Sequence, residues 1–71
     1  MYRCRFVCEI CGQVAVGMDT TPNRAMWDAI DKHDNNLRNW CNYMKGEADI
    51  VDTDTGKVNA TVNIDRIRRD R

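Results

Sequence analysis

Long apolar runs are missing from this sequence. A helix that spans a bilayer core takes about 20 consecutive apolar residues, and no segment offers them. Met1-Tyr2-Arg3-Cys4-Arg5 is charged and no apolar stretch of seven follows, so no secretory leader is expected. Histidine occurs once. With no second histidine, no nucleophile–base–orienter set stands out, and there is no glycine-rich phosphate loop. An enzyme is therefore not expected. Proline also occurs once, and no linker, repeat or low-complexity tract interrupts the chain. Net charge is lacking too, since 11 basic side chains balance 11 acidic ones. The balance is uneven along the chain. Arg3, Arg5, Arg66, Arg68, Arg69 and Arg71 sit at the two ends, and residues 6–63 carry five basic and nine acidic groups. An acidic body is not the footprint of a strongly basic nucleic-acid binder.

At 71 residues the chain is a single domain, with residues 66–71 read as a basic tail. A core this small supplies about 3–5 kcal/mol of net stability, and natural domains of this size often add a disulfide, a metal or a partner subunit. Four cysteines are present. Without a leader the expected location is cytoplasmic, where thiols stay reduced and cysteines serve as metal ligands or core residues.

Hydrophobic periodicity gives the elements. Tyr2, Cys4, Phe6 and Cys8 alternate with Arg3, Arg5 and Val7, and Val14, Val16 and Met18 alternate after Gly12, which predicts a hairpin over residues 2–18. Thr21-Pro22 has the chemistry of a helix start: a hydroxyl cap, then a proline at the first helical position. Met26, Ile30, His33, Leu37, Trp40, Cys41 and Met44 then recur at three- and four-residue steps. The helix is expected to run from 22 to a stop at Lys45-Gly46, or to break at Asp34-Asn35-Asn36, three poor helix formers. Asp28, Asp31 and Asp34 fall on its outer faces with Arg24, Lys32 and Arg38. Ala48–Val51 and Val58–Ile64 predict a second hairpin around Asp52-Thr53-Asp54-Thr55-Gly56-Lys57, which is turn chemistry. The order is ββαββ, a small α+β domain with one central helix packed on antiparallel strands.

Cys8-Glu9-Ile10-Cys11-Gly12 carries the most specific signal. Two thiolates two residues apart can reach one ion at about 2.3 Å from each sulfur, and the following glycine lets the chain turn tightly. Residues 6–14 resemble the Cys-x-x-Cys hairpin of zinc-finger and zinc-ribbon proteins in general. The resemblance implies a structural Zn2+ and a zinc-knuckle hairpin. Geometry suggests the other ligands. A strand over 13–18 leaves the knuckle by about 20 Å, and a helix from Pro22 to His33 returns by about 18 Å. His33 therefore arrives near the knuckle. For the fourth position Cys41 is preferred, reachable if the helix breaks at Asp34-Asn35-Asn36; Cys4, a water or a carboxylate stay open. Free cysteine also packs as a small hydrophobe, and that is the preferred role for Cys4.

Three functions fit these features. The first is a small zinc-stabilised module that binds another protein, a regulatory or inhibitory accessory protein; free-standing chains of this kind look like bacteriophage-encoded accessory proteins. The second is nucleic-acid binding through Arg3, Arg5, Arg66, Arg68 and Arg69, if the outer strands bring the two ends together. The third is thiol redox chemistry, which is disfavoured because the Cys-x-x-Cys lies between two strands and not at a helix start.

Overall fold

The computed structural model describes residues 1–35 and 41–67. Five elements follow in order: β1 (Tyr2–Val7), β2 (Val14–Asp19), α1 (Pro22–Asp34), β3 (Tyr43–Asp52) and β4 (Val58–Ile67). The strands form one antiparallel sheet in the order β2-β1-β3-β4, and the helix packs across β2 and β1 on one face. This is the expected ββαββ, α+β domain.

The helix starts where its chemistry says it should. Thr21 has extended backbone angles, and its hydroxyl accepts from the Arg24 amide at 3.3 Å. Pro22 takes the first helical position. The helix ends at Asp34, with Asn35 as its C-cap and the Asn35 N–H still donating to the Asp31 carbonyl at 2.9 Å. Of the two expected ends, the break at Asp34-Asn35-Asn36 is the one found. Leu37 and Trp40 lie outside the described residues. Met44, placed in the helical stripe on sequence grounds, belongs to β3, where it pairs with Arg66. Gly46 is not a helix stop either. It sits inside β3 at φ 154°, and a Cβ there would strike the Val7 carbonyl. The glycine lets β3 run against the end of β1.

The face that β2 buries is the one with the smaller residues. Val14, Val16 and Met18 alternate as read, yet they are exposed, at 45%, 40% and 48%. The buried side carries Ala15 and Gly17. A Cβ on Gly17 would run into the backbone of Ala25 and Ala29, so glycine and two alanines bring helix and strand into direct contact. The inner face is completed by Cys4 and Phe6 of β1, Met44, Ala48 and Ile50 of β3, and Ile64 of β4. On the outer face, Arg3 stands beside Met18 and Val51, and Arg5 beside Val16 and Asp49. Register between β3 and β4 shifts at Ile50/Val51, so that Val58 pairs with Val51 and joins this outer face, 62% exposed.

The turn at 52–57 forms as its composition predicts. Gly56 has φ 73° and its N–H donates to the Asp52 carbonyl at 2.8 Å, while the Asp52 carboxylate accepts from the Asp54 amide at 2.9 Å. Residues 66–71 are not all tail: Arg66 and Ile67 are the end of β4. No described helix is long and apolar enough to cross a membrane.

Candidate metal centre

Four side chains converge at one end of the sheet. Cys8 and Cys11 come from the β1–β2 turn, His33 from the last turn of α1, and Cys41 from the approach to β3. Their ligand atoms all lie within 4.8 Å of one another. Sulfur to sulfur, Cys8 and Cys41 are 3.8 Å apart, and Cys11 Sγ is 3.5 Å from His33 Nε2. A tetrahedral ion bonded at about 2.3 Å to sulfur and about 2.0 Å to nitrogen implies S···S near 3.8 Å and S···N near 3.5 Å. These two pairs thus stand at tetrahedral spacing. Cys8, Cys41 and His33 are fully buried and Cys11 partly so.

Local folding builds each position. Behind Cys8 the chain doubles back: the Gly12 N–H donates to the Cys8 carbonyl at 2.8 Å and the Cys8 N–H to the Gln13 carbonyl at 2.9 Å. Gly12 pays for this with φ 74°, a conformation that costs other residues about 1–2 kcal/mol. The Glu9 N–H reaches across to the Lys45 carbonyl at 2.6 Å and ties the turn to β3. Strand and helix lengths then deliver His33, as the outward and return distances require.

The thiols differ in acidity. Burial works against ionisation of Cys8, but hydrogen bonds from the backbone of Lys45, Cys11 and Ile10 outweigh it and bring its pKa down to about 6. Peptide dipoles aimed at one sulfur hold it ready as a thiolate. Cys41 goes the other way. Burial, together with the neighbouring Cys8 and Cys11 sulfurs, pushes it up to about 11 against the opposing backbone hydrogen bond of Tyr43. Its thiol lies 2.8 Å from the Tyr43 carbonyl, an acceptor for its proton.

Asp34 was missed in the sequence. It was read as part of an outer, solvated face, yet it is 4% exposed and its carboxylate lies 3.2 Å from His33 Nδ1. Nδ1–H donating to a carboxylate leaves Nε2 with its lone pair facing the thiols, the arrangement that orients a ligating histidine. Phe6 packs edge-on against the same imidazole, with ring centroids 5.6 Å apart. The signal available in the sequence was adjacency alone: an acidic residue beside the only histidine at a helix end.

The other candidates fall elsewhere. Cys4 is buried in the core, its pKa raised to about 11 by burial and by Asp49, and it is not part of the group. Arg3 and Arg5 lie on the outer face of the sheet. Arg66 belongs to the opposite face, where its guanidinium stacks 4.9 Å from the Trp27 ring centroid. The outer strands therefore do not bring Arg66 to Arg3 and Arg5. Arg68, Arg69 and Arg71 lie outside the described residues. Comparison of the chain with protein-family models, curated proteins and solved structures gives no match.

Proposed function

We propose that this chain is a small zinc-stabilised module that binds another protein, in the manner of a regulatory or inhibitory accessory protein. Three thiolates and an imidazole gathered within 4.8 Å of one another suit Zn2+ among common metals. With four protein donors the ion has no open position, so its role is to hold the fold and not to act on a substrate.

The observation that carries the binding role is the bare face of the sheet. Helix α1 covers one side, while the other presents Val14, Val16, Met18 and Val58 around Arg3 and Arg5. Neither arginine has an ion pair among the described residues. Aliphatic side chains framing two unpaired guanidinium groups suit a protein segment bearing aliphatic and carboxylate side chains. Phosphate chains suit it less. Asp49 and Glu47 share the face, and among the described residues no aromatic ring pairs beside Arg3 and Arg5 to stack a base.

Affinity capture from the source cell's lysate tests this, comparing wild type with an Arg3→Glu/Val16→Asp variant that keeps its zinc. A protein retained by the first and lost by the second is the expected result. Retention of RNA or DNA instead, with affinity falling steeply as salt rises, would replace the protein reading with the nucleic-acid one.

A further inference from the structure

The sheet has two edges, and they are built differently. β2 is six residues long, lies under the helix, and has its Met18 N–H taken by the Asp28 carboxylate at 2.9 Å. Asp28 is itself braced by Lys32 at 3.2 Å. A side chain from the helix thus occupies a backbone donor that an incoming strand would need. β4 has none of this. It is ten residues long and pairs with β3 on one side. Among the described residues no strand pairs with its other side. From Val58 to Ile64 it carries no charge and no proline: Val, Asn, Ala, Thr, Val, Asn, Ile. Lysine, proline, bulges and short length are the usual means of blunting an edge. Beyond the bulge at Asn59, the uncharged, β-branched run from Ala60 to Ile64 lacks them and is a template for another strand.

We propose that β4 is a homodimer interface, pairing antiparallel with β4 of a second copy to make a continuous eight-stranded sheet. A two-fold axis at Val62 sets Val62 opposite Val62 and Ala60 opposite Ile64 on the helix side of the sheet. Thr61 then meets Asn63 and Asn59 meets Asp65 on the other side. No like charges face each other in this register, whereas an axis at Asp65 would oppose two carboxylates. Zero net charge removes the long-range repulsion between copies. The two-fold closes the assembly, because the β2 edges left at its ends are the blocked ones. The inference is independent of the bare sheet face and leaves that face open in the dimer.

Sedimentation equilibrium of the zinc-loaded protein at roughly 10–100 μM, above a Kd of about 1 μM, should give twice the 8.3 kDa chain mass. Thr61→Lys/Asn63→Lys, both exposed on β4 and facing each other across the two-fold, should return a monomer with unchanged circular dichroism and zinc content, since like charges then stand directly opposite and edge lysines oppose pairing. Val16→Lys/Met18→Lys on the outer face should remain dimeric. A monomeric wild type overturns the proposal. So does a dimer that survives the β4 lysines, or one that the outer-face lysines abolish.

Discussion

Cys8 and Cys41 touch, yet their surroundings favour opposite protonation states, and a zinc ion held as proposed would take both as thiolates. Replacing either by serine removes a soft ligand and leaves three donors around a buried space. Structural zinc contributes about 10–16 kcal/mol in small zinc peptides, against about 3–5 kcal/mol of net stability from a core of this size. Cys8→Ser and Cys41→Ser should therefore leave no cooperative thermal transition and no bound zinc. Cys4→Ser touches no ligand, and a hydroxyl buried there should cost about 1–3 kcal/mol with zinc content unchanged. An equal loss in all three variants would sink the assignment of ligands. Asp34 acts one step further out. Asp34→Asn keeps the shape but removes the negative charge that the His33 imidazole faces at 3.2 Å. Zinc affinity should fall roughly 10–100-fold while the fold persists in excess metal. Competition with a chromophoric chelator measures the affinity, and circular dichroism checks the fold.

At the scale of elements, the joint between α1 and β2 leaves no room for a side chain. Gly17 has no room for a Cβ, because the backbone of Ala25 and Ala29 occupies that space. Gly17→Ala should cost about 1–3 kcal/mol through overpacking. At Gly12 the space is open, and alanine meets only the positive φ. Urea unfolding of both variants separates contact from conformation; a Gly17→Ala protein as stable as wild type would mean that the helix does not sit on β2 as described. The same joint explains what periodicity could and could not reveal. Alternation located β1 and β2, but it has no sign: it cannot tell which of two faces is buried. Val14, Val16 and Met18 looked like the core side because they are large. The helix chose the other side because only alanine and glycine allow close approach. The helix start was legible from Thr21-Pro22, since capping is local chemistry. Its end was ambiguous, because Met44 falls on both a helical and a strand period, and only pairing with Arg66 decides. His33 could be matched to Cys8 and Cys11 because strand and helix rise per residue fix where the chain returns, and Cys41 because three poor helix formers at Asp34-Asn35-Asn36 mark where the helix can break. Asp34 could not be, because burial of a carboxylate follows from its partner and not from its spacing.

For the whole molecule, a structural zinc as proposed would couple folding to metal uptake, and that would tie stability to pH. The ligands come from the first turn, the end of the helix and the start of β3, so the unfolded chain offers no preformed site. Excess chelator should unfold the protein and zinc should restore it. The pH dependence follows from the two shifted thiols. Cys41, at about 11, is protonated at neutral pH and must release its proton as the ion enters. Cys8, at about 6, is already a thiolate there and adds a further released proton only as pH falls through about 6. In the metal-free fold the depressed Cys8 contributes stability above its ordinary 9.0 that is lost on acidification through about 6. The raised Cys41 contributes below 9.0 and is lost as pH climbs through about 11. With metal present, each displaced proton makes affinity rise tenfold per pH unit, so between about pH 6.5 and 7.5 the zinc affinity should increase at least tenfold. Below about pH 6 the slope should steepen as Cys8 joins. A chelator competition series across this range reads the slope directly. Affinity independent of pH from 6.5 to 7.5 would mean that Cys41 enters as a thiolate already, and that the buried, proton-holding thiol described here is not what the ion meets.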